Sequence, residues 1–238
     1  MSKNNSDETR TAIVTITAGN GDAQATATVT IRQQKEQTEV AAFQIGDFVK
    51  MDGGTELAEG GIVFWVEGNN AKILSLKRSA TAINWANEGF TDALGLTDQE
   101  DGEANTQKMR ESGIAANIPI LEYCKDGWYL PARNEMEAVF NAYNGRPSQS
   151  IGLKPDAIKQ EEKDARAAWD KILTDNGGDV MNVKADNTAG DSYFTSTEAD
   201  DASKVFYVRF GQWNPGLTGA KYAKSPARYV RCIRKISK

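Results

Sequence analysis

Two stretches near the start of the chain alternate apolar and polar residues. Thr11 to Thr17 reads TAIVTIT and Ala25 to Ile31 reads ATATVTI, and the AGNGDAQ between them supplies turn residues. This period of two predicts a β-hairpin. Its predicted apolar face holds Ala12, Val14, Ile16, Ala25, Ala27, Val29 and Ile31. An isolated two-stranded hairpin is marginal in water, so we expect this one to pack on something else.

A polar stretch without periodicity follows, and we assign residues 37–44 to a linker. After it, GGIVFWVEGNNAKILSL predicts a second hairpin that turns at Glu67 to Asn70. SATAINWANEG, residues 79–89, is interpreted as a short helix, and the segment from Ala104 to Ala116 is moderately helical.

The second half of the chain predicts one long helix and then strands. Residues 156–178 have a helical apolar face followed by two glycines at the expected end. That face consists of Ile158, Ala165, Trp169, Ile172 and Leu173. KVFYVRF and RYVRCIRKI alternate as strands, and Gly211 to Ala227 between them is predicted to be a long loop. The class is therefore α+β, and we expect strands from the two ends of the domain to meet in one sheet.

Composition excludes several classes of function. The net charge is −5, with 28 basic and 33 acidic residues and no long basic run, so nucleic acid is not an expected partner. The longest apolar run, GIVFWV, is far below the roughly 20 residues of a membrane helix. The opening MSKNNSDETR lacks the apolar core of a secretory signal. We expect either that a signal segment was removed or that the protein reaches its destination without one.

Residue types also limit the chemistry. No histidine is present, which excludes Ser-His and Cys-His catalysis and His-based zinc sites. The two cysteines, Cys124 and Cys232, are too few for a thiolate zinc site, so either a disulfide or two buried thiols is expected.

The stretch GWYLPARNEMEAVF, residues 127–140, raises the question of acid/base catalysis. Glu135 and Glu137 are two positions apart, and on a helix they point in different directions. Pro131 suits the first turn of a helix, and Glu135 suits its positive end. We therefore interpret Glu135 as part of a helix N-terminus and expect no catalytic residues.

The first hairpin carries a resemblance to a known module. NNSDETRTAIVTITAGNGDAQATATVTIRQQ resembles the last two strands of a BACON domain, a β-sandwich common in Bacteroidetes surface proteins. We assign residues 1–36 to this incomplete domain. The resemblance implies that the hairpin is the stub of a sandwich or pairs with another chain.

Six ordered motifs in residues 45–238 carry a second resemblance: GGIVFWV, INWANEG, GEANTQKM, YCKDGWYLPARNEM, YFTSTE and YVRCIR. They resemble a Bacteroidetes family of uncharacterised domains, of the Lcl/fibrobacter-paralogous type, with a C-type-lectin-like fold. Members usually have Ser where Ala132 stands, so half of a capping box is lost here. The resemblance also implies that Cys124 and Cys232 approach each other as a disulfide candidate, with buried thiols as the alternative.

In this fold the late loops bind ligands, so the resemblance favours residues 211–227 as the recognition surface. The calcium-dependent lectins use tripeptides that QWNPG does not match, so we assign no metal and no cofactor, and calcium is unsupported. Aromatic and amide groups suit stacking on sugars or a protein hot spot, although Trp213 could instead be buried to pin the loop. The candidate ligand-binding residues are Trp213, Asn214, Lys221, Tyr222 and Lys224.

These resemblances imply a non-enzymatic adhesion module on a cell surface or outside the cell, which binds a glycan or a protein. The alternative is a phage receptor-binding component in a virion, or a variable protein of a diversity-generating retroelement, with the same fold. In that case the N-terminal hairpin would join copies into a homo-oligomer.

Overall fold

The computed structural model describes residues 10–20, 23–33, 42–51, 60–146, 159–181, 191–210, 217–221 and 228–238. The chain divides into two compact units, Met1–Ala41 and Ala42–Lys238. The boundary falls inside the segment 37–44 that the sequence assigns to a linker.

The first unit contains the predicted hairpin, which is confirmed. Strands β1 (Arg10–Asn20) and β2 (Ala23–Gln33) are antiparallel, with Val14 opposite Val29 and Ile16 opposite Ala27. Because directly opposite residues share a face, the apolar positions of both strands lie together, as their period of two predicts. Several of these side chains are exposed, and Ile16 keeps 57% of its surface.

A four-stranded antiparallel sheet begins the second unit. Its strands are β3 (Phe48–Lys50), β4 (Gly60–Glu67), β5 (Asn70–Ser75) and, from the end of the chain, β9 (Ile233–Ser237), in the order β3-β4-β5-β9. The second predicted hairpin is β4–β5. Because β9 pairs with β5, the expected meeting of the two ends of the domain in one sheet is also confirmed.

A second sheet has the order β6-β7-β8, with β6 at Ser192–Glu198, β7 at Lys204–Arg209 and β8 at Leu217–Ala220. Strand β7 follows the predicted KVFYVRF segment. Strand β8 lies inside the segment that the sequence predicts to be a long loop, so that prediction is wrong for Leu217–Ala220. The four residues form a strand because β7 offers them a pairing edge, with Val205 opposite Gly219.

Three α-helices accompany the sheets in the described residues: α1 (Gly102–Glu111), α2 (Arg133–Tyr143) and α3 (Gln160–Asp175). Helix α3 confirms the long-helix prediction, with Trp169 and Leu173 buried and Gly177 at positive φ just after its end. Two short 3-10 turns, Ala115–Asn117 and Pro119–Glu122, follow α1. None of the described helices has the length and apolar character needed to cross a bilayer.

The short helix predicted at residues 79–89 is wrong. The backbone N–H groups of Ser79, Ile83 and Ala86 donate to carbonyls of the chain end, at Val230, Arg228 and Lys221 respectively. These donors are therefore used in strand-like pairing and not in i to i−4 bonds. The Trp85 indole N–H, fully buried, also donates to the carbonyl of Thr195 across the domain, at 3.0 Å.

Two apolar clusters cover the two faces of the four-stranded sheet. Ile62 and Leu74 belong to the cluster that contains α2 and α3, whereas Val63 and Ile73 belong to the cluster that contains Trp85 and the cysteines. A strand that is buried on both faces has apolar residues at successive positions, and this explains the continuous apolar run GIVFWV in β4. The fold is therefore a mixed α+β domain.

Candidate functional site

The glutamate singled out in the sequence lies at a junction of two helices. Glu135 is the third residue of α2, and its Oε2 accepts from the Ala132 N–H at 2.9 Å and the Gly102 N–H at 3.0 Å. Its Oε1 accepts from Lys72 Nζ at 2.6 Å and the Tyr129 hydroxyl at 3.1 Å. One carboxylate thus caps its own helix and the first residue of α1.

This environment leaves Glu135 no free acceptor. A carboxylate offers about four lone-pair positions, and four donors occupy them. Burial raises the pKa of Glu135 above the ordinary glutamate value, against the opposing effect of Lys72. Burial, and then the neighbouring Glu135, raises the pKa of Tyr129 as well. The arrangement fits a structural carboxylate better than one that exchanges protons with a substrate.

Helix α2 starts later than the sequence suggests. Ala132 is the N-cap and Arg133 the first helical residue, so Pro131 precedes the helix and does not lie in its first turn. Ala132 has no side-chain acceptor, as the comparison with Ser predicts. Other elements supply acceptors instead: the Arg133 N–H donates to Thr197 Oγ1 at 3.0 Å, and the Asn134 N–H donates to the Gln99 carbonyl at 2.9 Å.

The close approach of α1 to α2 depends on a glycine. A Cβ on Gly102 would lie 2.3 Å from the Leu130 carbonyl oxygen and 2.4 Å from the Ala132 nitrogen. Because both neighbours are backbone atoms, no side-chain rotation would relieve the clash. Gly102 is therefore required for Glu135 to reach α1.

Among the predicted ligand-binding residues, Trp213, Asn214, Tyr222 and Lys224 lie outside the described residues. Lys221 is described, and its side chain is fully buried. A buried ammonium group offers no surface to a ligand. The prediction that Lys221 is an exposed ligand-binding residue is therefore wrong, and its role is structural.

Lys221 forms a buried ion pair that the sequence analysis missed. Its Nζ pairs with Glu198 Oε1 and donates to the Asp92 carbonyl at 2.7 Å. The Glu198 carboxylate also accepts from the N–H groups of Leu94 and Leu96, each at 3.0 Å. Burial on its own raises the pKa of Glu198, but the hydrogen bonds from Lys221, Leu94 and Leu96 hold the pKa below its ordinary value. The only signal in the sequence is a glutamate that ends the strand YFTSTE.

A second buried cation lies beside the late strands. The Arg228 guanidinium carbon is 3.7 Å from the centre of the Tyr207 ring, and the residue is only 6% exposed. Its Nε and Nη1 have no hydrogen-bond partner in the described part of the chain. A Cβ on Gly219 would lie 2.5 Å from Nη2, so β8 also packs closely on this side chain.

The structure joins Cys124 and Cys232 by a disulfide, with the Cα atoms 5.5 Å apart. Both cysteines are buried in the cluster around Trp85. Cys124 follows the second 3-10 turn and Cys232 immediately precedes β9, so the bridge ties the middle of the domain to its closing strand.

Within residues 10–238, excluding the gaps given above, no group of three or more acidic or thiol side chains is placed to hold a metal ion. The C-type-lectin-like and BACON resemblances stay predictions. Comparison of the chain with protein-family models, curated proteins and solved structures yields no match in any of the three.

Proposed function

We propose that this chain is a non-enzymatic binding module of a bacterial surface protein, which recognises a glycan or protein ligand through residues 211–227. The observation that carries the proposal is the anchoring of that region. Phe210, Lys221 and Arg228 flank the segments 211–216 and 222–227, and all three are buried. Segments whose flanking residues are fixed in a core suit recognition, because the scaffold positions the ends of each segment.

The carboxylates support a binding role over a catalytic one. Among the described residues, Glu135 and Glu198 are the buried glutamates with the most partners. Their donors are lysine ammonium groups, backbone N–H groups and, for Glu135, the Tyr129 hydroxyl. Glu137 pairs with Arg133 Nε at 3.0 Å. Glu135 and Glu198 thus each stabilise a junction between elements, whereas Glu137 pairs within its own helix.

The test is a binding screen of the purified chain on glycan arrays and on host cells, in calcium and in chelator. We expect a Trp213→Ala variant with an unchanged melting temperature to lose binding of at least one ligand that the natural chain binds. Phe48→Ala, which removes an exposed aromatic side chain from strand β3 of the four-stranded sheet, is the matched control. Binding that Trp213→Ala leaves intact for every ligand, or no binding by the natural chain, would refute the proposal.

A second candidate, a virion or fibre component that assembles through the hairpin, is favoured by one observation. Val14, Ile16 and Val29 lie on one face of β1–β2 and are 42%, 57% and 49% exposed. Apolar side chains in such a row suit contact with another copy. Light scattering after size exclusion tests it: a trimer that Ile16→Lys dissociates supports assembly, and a monomeric natural chain excludes it.

A further inference from the structure

A depression of about 360 Å³ lies on the four-stranded sheet. Its side chains come from two rows across three adjacent strands. Trp65, Lys72 and Lys235 are register partners, and so are Glu67, Asn70 and Ser237. Every residue that lines it belongs to β4, β5 or β9. The floor is therefore built on regular, hydrogen-bonded strands.

A β-bulge directs Trp65 into this depression. The register of β4 against β5 shifts between Val63 and Trp65. Before the shift, Ile62 faces the cluster that contains α2; after it, Trp65 packs on that same cluster although it is an odd number of residues away. Without the extra residue, the period of two would turn Trp65 to the opposite face. Bulges commonly re-aim a side chain in this way at functional positions.

The charges around the depression are balanced in a way that disfavours anions. Lys72 Nζ is 2.6 Å from Glu135 Oε1, and Lys235 Nζ is 2.9 Å from Glu103 Oε2. Both ammonium groups are thus already paired with carboxylates. Glu67 has no ion-pair partner among the described residues and is exposed. An anionic ligand would meet this unpaired carboxylate and no free cation.

The remaining groups match a sugar. An indole ring accepts the apolar C–H face of a pyranose. The half-buried Trp65 lines the depression, and Lys72 Nζ lies over one face of its ring, 5.2 Å from the ring centre, which leaves the opposite face as the stacking surface of the proposed site. The Asn70 amide both donates and accepts, the Ser237 hydroxyl does the same, and the Glu67 carboxylate accepts from sugar hydroxyls. The volume lies at the low end of the range for small-molecule sites.

We infer that this depression, which is lined by residues other than 211–227, is a second binding site that takes a neutral saccharide with one sugar ring stacked on Trp65. The late-loop proposal and this one depend on different residues. Each can therefore fail without the other.

The test is titration of the full chain with neutral gluco-, manno-, galacto- and xylo-oligosaccharides and with uronic-acid and sialylated oligosaccharides. We expect at least one neutral oligosaccharide to bind, and Trp65→Ala to weaken it roughly 30-fold or more, as for a buried aromatic hot spot. Trp65→Phe should keep part of the affinity because it keeps a ring. Asn70→Ala, a small change beside the turn, should weaken binding while the melting temperature stays unchanged.

Trp213→Ala is the matched control, and it should leave this affinity unchanged. The site is refuted if no neutral oligosaccharide binds at millimolar concentration, if only acidic oligosaccharides bind, or if Asn70→Ala and Trp65→Phe both bind as the natural chain does. Binding that only Trp213→Ala abolishes would support the late-loop site and refute this one.

Discussion

Replacing Glu135 by glutamine tests whether this carboxylate holds two helices and a strand together. Glutamine has nearly the same shape but only one acceptor oxygen, and its NH2 group cannot accept. If the amide oxygen takes the place of Oε2, the amide NH2 group faces the ammonium group of Lys72, which is also a donor. If the amide oxygen takes the place of Oε1, the NH2 group instead faces the backbone N–H groups of Gly102 and Ala132.

The expected loss follows from burial. The side chain of Glu135 is 4% exposed and that of Lys72 is 16% exposed, so water compensates little for the lost partner. Breaking a buried ion pair from one side costs about 3 to 5 kcal/mol. For a unit of this size that loss corresponds to a melting-temperature drop of roughly 6 to 20 °C.

Glu137→Gln is the matched control. It changes a glutamate two positions along the same helix, equally buried at 3% exposure, whose ion-pair partner Arg133 is 29% exposed. Glutamine can still accept from Arg133 Nε, so we expect a loss of about 1 kcal/mol. Urea denaturation followed by circular dichroism measures both variants.

A double-mutant cycle separates the ion pair from the capping. Lys72→Met combined with Glu135→Gln should lose less than the sum of the two single losses, by about 1 to 3 kcal/mol. Equal losses for Glu135→Gln and Glu137→Gln would refute the assignment of Glu135 as the junction carboxylate.

Three further predictions concern other buried groups. Folding lowers the pKa of Glu198, so the stabilising contribution of its carboxylate is present above the unfolded pKa of 4.5 and is lost as the pH falls below that value. In urea titrations the stability difference between the natural chain and Glu198→Gln should therefore shrink from pH 7 to pH 3.5. A constant difference would contradict this prediction. The double variant Cys124→Ser with Cys232→Ser opens a loop of 108 residues, and loop-closure entropy predicts that the free energy of unfolding falls by about 4 to 5 kcal/mol in the same assay. A fall below about 1 kcal/mol would count against this prediction. Arg228→Met removes a buried charge whose Nε and Nη1 have no hydrogen-bond partner among the described residues, so calorimetry should find stability unchanged or raised. A drop above about 2 kcal/mol would show that stacking on Tyr207 outweighs the cost of burying this charge.

The sequence determined those elements whose residues interact locally. Alternation of β-branched residues set the hairpins β1–β2 and β4–β5, and the helical apolar face that includes Trp169 and Leu173 set α3. Glu135 could be placed near the N-terminus of α2 because helix N-termini have recognisable local chemistry, although the structure sets the first helical residue at Arg133.

Only the tertiary structure decided the features that depend on distant partners. Residues 79–89 have a helical composition, but their backbone donors pair with the end of the chain. Leu217–Ala220 form a strand because β7 provides an edge. Lys221, which the sequence places in an exposed recognition set, is buried because it pairs with Glu198 at the end of β6. The depression around Trp65 depends on a bulge and on β9, which joins the sheet from the far end of the chain. In each case the deciding contact joins residues far apart in sequence, and local patterns carry no record of it.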